Sequence, residues 1–379
     1  MKTIFVIGSD GYIGHALALR LLHEGHRVIG ADDFRRRSAV REMGSFSAVD
    51  IQSPKDRLGV FGDNFKFHDI TMEEGYGVLC YILDKYKPTS VVNLAQQPSA
   101  PYSHKSVQHA VKTVVDNSAG TLNLLWAIKE SCPNTHLIQI GSMGEYDPTA
   151  NVRIPEGIFD FGSGSAIYPR RPGSWYHASK VASTYYIDCA CRWWGLKATD
   201  IMQGIVYGGW TPEIEETKSY TRLDSDEAFG TVVHRFVVQT LLGHPMTIYG
   251  KGLHKRGFLS INDSIQCLML AIENPPKDEN YRTWNQLDTS YSINDISDIV
   301  IKIAGQYDIN VEKKYIKSPR AEAVNDHYYR PVVNKLKELG FKPTRNLEDE
   351  IRFLFNILID NKDRIKELCN VVMPKITWK

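Results

Sequence analysis

The feature that most constrains this chain is its opening. A β-rich run, Ile4–Ile7, passes without a spacer into Gly8-Ser-Asp-Gly11-Tyr-Ile-Gly14 and then a helical pattern over Ile13–Glu24. A strand that becomes a helix through three glycines exposes bare N–H groups at the helix start, where a phosphate can approach the backbone. The spacing is GxxGxxG, and three glycines also make an ordinary tight turn, so the surroundings must decide. Further β-rich runs at Arg27–Ala31, Phe65–His68, Ser90–Leu94, His136–Ile140 and Ala198–Met202 alternate with helical patterns at Gly75–Tyr86, Val107–Ser131 and Tyr176–Trp194. That rhythm is the signature of a parallel sheet with crossover helices, and right-handed crossovers wind it on both faces. Its ligand crevice belongs at the carboxyl ends of the strands.

The predicted fold is therefore α/β: a Rossmann-type doubly wound parallel sheet over residues 1–204, with a smaller mixed α/β substrate-binding lobe over 205–379, some of whose segments return to the first lobe. Within the second part a polar stretch, Thr211–Glu227, reads as a lid or substrate loop ahead of a helix near Val232–Leu242. Helical patterns near Val333–Leu339 and Leu347–Leu368 end the chain.

In this frame the glycine run predicts a dinucleotide site, with Gly8, Gly11, Tyr12, Ile13 and Gly14 around the pyrophosphate. Asp32, ending the second strand, stands where a carboxylate binds adenosine ribose hydroxyls and repels a 2′-phosphate, which favours NAD over NADP. Arg35-Arg36-Arg37 close behind weakens that inference and reads equally as a solvated loop. Asp69-Ile70 frames the adenine, although an Asp at a strand end also serves as a helix cap.

Tyr176-His-Ala-Ser-Lys180 places a phenol and an ammonium one helical turn apart on one face. A phenol is a poor base at neutral pH; lowering its pKa by ~2–3 units takes ~3–4 kcal/mol of phenolate stabilisation, which Lys180 and an oxidised nicotinamide can supply. Ser142, at the end of the fifth strand, adds a hydroxyl at the same sheet edge. Tyr176, Lys180 and Ser142 are the catalytic candidates, and Tyr176, Lys180 and Gln203 also border the predicted cofactor.

Composition sets limits. Forty-five basic residues against 44 acidic ones leave a net charge of +1 on 379 residues, so neither a nucleic-acid nor a membrane partner is indicated. No apolar run approaches membrane-spanning length, and the first residues read as a strand rather than a signal peptide. Six cysteines show no CxxC pair or His-rich spacing, so no metal site and no disulfide framework is predicted, and a cytoplasmic location is expected.

Gly8–Gly14, Asp32, Ser142 and Tyr176–Lys180 together resemble the extended short-chain dehydrogenase/reductases, mostly NAD-dependent nucleotide-sugar epimerases and dehydratases. The runs Ser99-Ala-Pro-Tyr-Ser103 and Ser142-Met-Gly-Glu-Tyr146, the Tyr176-His177 pair and Gly250-Lys-Gly252 narrow the likeness to the UDP-sulfoquinovose synthases. Pro319-Arg320, His327-Tyr-Tyr329, Met373-Pro374 and Trp378-Lys379 extend it across the whole chain. The resemblance implies a UDP-hexose substrate such as UDP-glucose, oxidised transiently at C4 so that the C5 proton acidifies and water leaves C6. Sulfite then adds at C6 and C4 is reduced again. For the elimination the nearest titratable candidates are His177, the preferred one, and Glu145. Relatives that are 4,6-dehydratases carry an Asp-Glu pair where this chain has Met143-Gly144. By the same resemblance Ser99, Tyr102, Met143, Gln203, Thr247 and Tyr249 contact the nucleotide sugar, with Arg235, Arg256 and Arg320 on its diphosphate, and the long helices pair into a homodimer.

The chain departs from its nearest pattern in two places. The synthases read Glu-Gln-Arg where this sequence has Gln96-Gln97-Pro98, and Gly-Gln-Thr-Arg where it has Leu253-His254-Lys255-Arg256. Losing a guanidinium at 98 puts the sulfite step in question, because an arginine anchors an oxyanion and a proline offers neither charge nor N–H. A UDP-sugar 5,6-dehydratase or a 4-epimerase without sulfite addition is the alternative, and a non-catalytic NAD-binding regulatory protein the remote one.

Overall fold

A computed structural model of the chain describes residues 1–146, 153–160, 162–167, 170–277, 279–318 and 330–374. Seven parallel strands form the central sheet: β1 (Thr3–Ile7), β2 (Arg27–Asp32), β3 (Phe65–Asp69), β4 (Ser90–Asn93), β5 (His136–Ser142), β6 (Lys197–Gln203) and β7 (Tyr281–Gln286). Their order is β7-β6-β5-β4-β1-β2-β3. The order reverses between β1 and β4, which opens the crevice at the carboxyl ends that a doubly wound sheet requires. β4 is buried along its whole length and β1 along its last four residues. Strands covered on both faces by helices are apolar on both faces, hence their unbroken Val/Ile-rich runs.

The helices that carry the site are α1 (Tyr12–His23), α2 (Arg35–Glu42), α3 (Tyr76–Tyr86), α4 (Val107–Val114), α5 (Gly120–Ser131) and α6 (Trp175–Trp194). The single helix expected over 107–131 is instead α4 and α5 joined by one wide turn, Val115–Ala119. That turn carries Asn117, whose amide donates to Gln97 O and Ser179 Oγ and whose Oδ1 accepts from Gln97 N at 2.7 Å. A side chain inserted between two helices and a loop disturbs the regular ladder locally. The expected final helix likewise breaks, into Leu347–Ile359 and Lys362–Lys366.

Two segments from beyond residue 205 return to the central layers. β7 pairs with β6, and the helix Ile261–Glu273 contributes Ile265, Leu268 and Ile272 to the core that holds β1 and α1. A second core gathers Phe236, Ile248, Phe258, Val300, Leu354 and Phe355 beneath a three-stranded sheet of Ile205–Tyr207, Lys255–Ser260 and Thr289–Ser292.

The stretch 211–227 is not a lid. It holds a short helix, Pro212–Thr217, and then residues 221–226, every one of them buried. Its polarity misleads because the polar groups are paired internally: Asp224 meets Arg36 and Arg222, and Thr221 donates to Tyr12 O.

Candidate active site

One cavity of about 560 Å³ runs along the carboxyl edge of the sheet, between the glycine turn and the second lobe. Its first half is built by local chain geometry. Gly11 caps α1 without a side-chain hydrogen bond, so the first-turn N–H groups face the cavity uncapped. Gly14 lies so close to Gly8 O that a Cβ there would overlap it, which is what lets helix, turn and strand nest. Gly8, Gly11, Tyr12, Ile13, Gly14, Asp32 and Ile70 all line this half. Asp32 accepts N–H groups from Asp10 and Phe34, each at 2.9 Å, and burial beside Asp10 pushes its pKa up to about 7. Two backbone donors leave a carboxylate with lone pairs for two ribose hydroxyls. Asp69 departs from expectation: on β3, the edge strand of the sheet, it is exposed and does not border the cavity, whereas its neighbour Ile70 does.

The three arginines after β2 are neither a solvated loop nor free for a 2′-phosphate. They open α2, and each is engaged: Arg35 with Asp33, Glu73 and Asp116, Arg36 with Asp224, and Arg37 with both oxygens of Asp10.

Ser142, Tyr176 and Lys180 meet at the cavity's centre. Lys180 is buried, and its ammonium donates to Ile140 O at 2.6 Å and to Gln96 Oε1. Burial pulls its pKa down to about 8, against the pull of the Glu145 and Asp200 carboxylates. Burial pushes the Tyr176 phenol well above its ordinary value, with the Glu145 charge adding to the rise, while a hydrogen bond with Ser142 and the Arg36 charge act in the opposite direction. Gln96 is the residue that local sequence gave no reason to place here. Its oxygen accepts from Lys180 and Gln139, and its amide nitrogen reaches Asn117 O, Thr121 Oγ1 and Ser183 Oγ. No spacing rule links position 96 to position 180, 84 residues away.

His177 and Glu145, paired as candidates by sequence, are separated by the fold. His177 lines the cavity beside Tyr176, with ring centroids 4.7 Å apart, and its Nδ1 meets Ser174 Oγ at 2.8 Å. Its Nε2 lies against Gly144, where any Cβ would overlap the imidazole. A side chain at 144 and this histidine exclude each other, so the second member of the dehydratase Asp-Glu pair has no room here. Glu145 does not reach the cavity. Fully buried, it accepts Ser142 N at 2.8 Å and pairs with Arg170 at 2.5 Å, near Thr184 and Asp200. It closes a capping box on the turn after β5, which fixes the backbone of Ser142 rather than touching a substrate.

The second half of the cavity is lined by Ser99, Tyr102, Met143, Gln203, Thr247, Tyr249, Arg235 and Arg256. Arg235 is buried, stands 5.2 Å from the Tyr249 ring centre and has an unpaired Nε. Tyr102 gives its hydroxyl to Glu42 at 2.7 Å, so that hydroxyl is already engaged. Pro98 borders the cavity, as does His254, whereas the exposed Lys255 does not. Arg320 lies outside the described residues, as do Pro319, the run 327–329 and the terminal Trp378-Lys379. No group of three or more His, Cys, Asp or Glu side chains able to hold a metal occurs among the described residues.

Residues 4–285 match the model of the NAD dependent epimerase/dehydratase family. A UDP-sulfoquinovose synthase of Sulfolobus acidocaldarius is 41% identical over 99% of this chain and 97% of its own length. The chloroplastic UDP-sulfoquinovose synthase of Spinacia oleracea is 38% identical over 100% of this chain and 79% of its own length. Among solved structures, the fold resembles a Thermotoga maritima UDP-glucose 4-epimerase with UDP-glucose (TM-score 0.71, 21% identity, 94% of this chain and 99% of that one). It also resembles a Bacillus cereus UDP-glucuronic acid 4-epimerase variant holding a fluorinated UDP-sugar and NAD (TM-score 0.72, 21% identity, 94% and 99%). The uncapped glycine turn, Asp32 and the paired arginines suit NAD, and the chain is an enzyme of the NAD-dependent epimerase/dehydratase family, among the relatives of the UDP-sulfoquinovose synthases.

Proposed function

We propose that the protein converts UDP-glucose, through transient oxidation at C4 and loss of water across C5 and C6, into a 4-keto-5,6-ene that takes up sulfite at C6 and is reduced again at C4. The observation that carries the elimination is the His177 imidazole seated against Gly144 beside Tyr176, in the space a dehydratase acid would occupy. NAD bound along the glycine turn supplies the hydride acceptor, the later hydride donor and, when oxidised, a positive charge. Tyr176 takes the C4 hydroxyl proton, oriented by Ser142, and Lys180 stabilises the phenolate from its fixed position. His177 serves as the acid/base at C5 and C6. Arg235 and Arg256 face the diphosphate, and Thr247 and Tyr249 the uracil. The two synthase relatives, aligned along essentially the whole chain, support sulfite as co-substrate. Incubation of UDP-glucose with and without sulfite tests this: a sulfonated UDP-hexose in the mass spectrum supports it, and none at any sulfite concentration removes the synthase assignment.

Pro98 favours a second reading, in which the enzyme stops at the 5,6-ene. Loss of oxygen-18 from C6-labelled substrate without sulfonation would establish it, and retention of the label with inversion at C4 would make the enzyme an epimerase instead.

The proposed assembly is a homodimer. Val107, Val111, Val114 and Val115 expose apolar surface at helical spacing along α4 and into the wide turn, and Leu122 and Trp126 on α5 and Trp175, Tyr185 and Trp193 on α6 are exposed as well. Light scattering at the mass of one chain would overturn it. A cytoplasmic location, proposed because all six cysteines are free thiols, is tested by cell fractionation.

A further inference from the structure

The proposed sulfite step calls for a cation in the cavity wall, and position 98, a proline, supplies none. The Lys and Arg side chains that border the cavity are Arg35, Arg36, Lys112, Lys180, Arg235 and Arg256. Arg35 is held by Asp33, Glu73 and Asp116, and Lys112 lines the same surface groove as Arg35. Lys180 is committed to Ile140 O, Gln96 and the phenolate, and Arg235 and Arg256 to the diphosphate of the proposed complex. Arg36 remains.

Its guanidinium is a fixed fork with one prong spare. Nε donates to Asp224 Oδ2 at 2.9 Å and Nη2 to Phe229 O at 3.1 Å, while the guanidinium carbon lies 4.3 Å from the centre of the Phe229 ring. Nη1 has no hydrogen-bond partner among the described residues, and 22% of the side-chain surface is open. Asp224 does not belong to Arg36 alone, since Arg222 shares it, and Asp226 turns an oxygen to Ala228 N and Phe229 N at 2.9 Å. The same run of backbone ties Arg36 to the loop that departs from the synthases: Ser99 Oγ donates to Ala228 O at 2.5 Å, one residue before the carbonyl that Arg36 holds. Arg36 and the Pro98-Ser99 corner thus meet on one stretch of chain. The Arg36 charge also reaches the Tyr176 phenol, whose pKa it pulls down against the effect of burial.

We propose that Arg36 is the oxyanion anchor for sulfite, supplying from α2 the guanidinium that position 98 lacks. The inference rests on the proposed reaction and names the residue that holds its second substrate. Sulfite carries its charge on three oxygens and its nucleophilic lone pair on sulfur. A guanidinium edge that takes the oxygens leaves the sulfur facing away from it, toward the sugar. The lone pair forms the S–C6 bond, the C5–C6 π pair moves onto C5 in conjugation with the C4 ketone, and C5 then takes a proton. The product is a sulfonate whose oxygens Arg36 still holds.

The test separates sulfite binding from turnover. Protein loaded with NADH and UDP, a complex with no sugar to react, is titrated with sodium sulfite in a calorimeter under nitrogen. Arg36→Met is the first variant, and it leaves Asp224 paired with Arg222. It is expected to weaken sulfite binding by about tenfold to a hundredfold, the scale of a hydrogen bond to a charged group, and to raise the KM for sulfite in the sulfonation assay by a similar factor. Adding Pro98→Arg to Arg36→Met should recover most of that loss. Arg36→Lys offers Asp224 an ion pair but has a single nitrogen, so it should weaken sulfite in the same direction, and it carries the comparison if the methionine variant fails to fold. Parental sulfite affinity and KM in both variants would overturn the anchor and leave the proposed reaction standing. Weaker NADH binding with an unchanged dependence on sulfite would also overturn it, assigning Arg36 to the cofactor. Sulfite bound through Arg36 with no sulfonated UDP-hexose formed would sink the reaction and keep the site.

Discussion

The two halves of the cavity differ in how they are made. The cofactor half comes from one turn and the strand beside it: Gly8 to Gly14 and Asp32 converge because β1 and β2 are paired neighbours. The sugar half is assembled from side chains at positions 99, 143, 177, 203, 235, 249 and 256, carried by different segments of the chain. A half built from contiguous backbone admits few variations. A half built from side chains on separate elements can exchange them singly, and there this chain carries Pro98, Met143, Gly144 and His254.

That contrast is open to attack, beginning with its largest expected effect. Tyr176→Phe removes the group common to both half-reactions and is expected to lower turnover by about 10²–10⁴-fold with or without sulfite. Steady-state product formation measures it, and an unchanged product profile would mean the shared half does no chemistry. His177→Asn should separate the halves. Elimination falls by about 10²-fold, while the absorbance of reduced cofactor on mixing with UDP-glucose still appears; equal loss of both signals would place His177 with Tyr176 instead.

A smaller change is expected from Gly144→Ala, whose Cβ must displace the imidazole. About a tenfold loss of elimination is predicted, the scale of a roughly 1.4 kcal/mol misplacement, and wild-type rates would show that the ring position is unimportant. The smallest effect is a shift on the pH axis. Since burial depresses the Lys180 pKa to about 8, its cation is lost as pH rises through that value, and turnover should decline there. Gln96→Glu places a carboxylate on the ammonium, favours the cation and should move this basic limb upward by about one pH unit. A limb that stays put would detach Lys180 from the pH dependence.

Much of the site was legible because its signals are short-range. Gly8–Gly14 and Tyr176–Lys180 act within one turn and one helical step, and backbone geometry alone dictates what such spacings present. Among the readings that changed, those of Arg36, Asp224 and Glu145 concerned charged residues whose partners are distant. Arg36 and Asp224 stand 188 positions apart, so no local pattern distinguishes a buried cross-link from a solvated loop. Glu145 and His177 stood together as candidates, with His177 preferred, because both are titratable and near the catalytic run; only the fold turns Glu145 inward to Arg170 and sets His177, at the start of α6, against the cavity.

By itself, then, the sequence determined the doubly wound sheet, the NAD-binding turn and the Ser142, Tyr176 and Lys180 group, because period, glycine placement and helical spacing are local properties of a chain. Tertiary structure decided that Asp69 stands outside the cavity, that His177 fills the space over Gly144, that Glu145 positions Ser142, and that the polar stretch 211–227 is a short helix followed by a buried run rather than a lid. The burial of residues 221–226 and the inward turn of Glu145 depend on distant partners, Tyr12 and Arg36 for the first and Arg170 for the second, and such pairings exist only once the chain has folded.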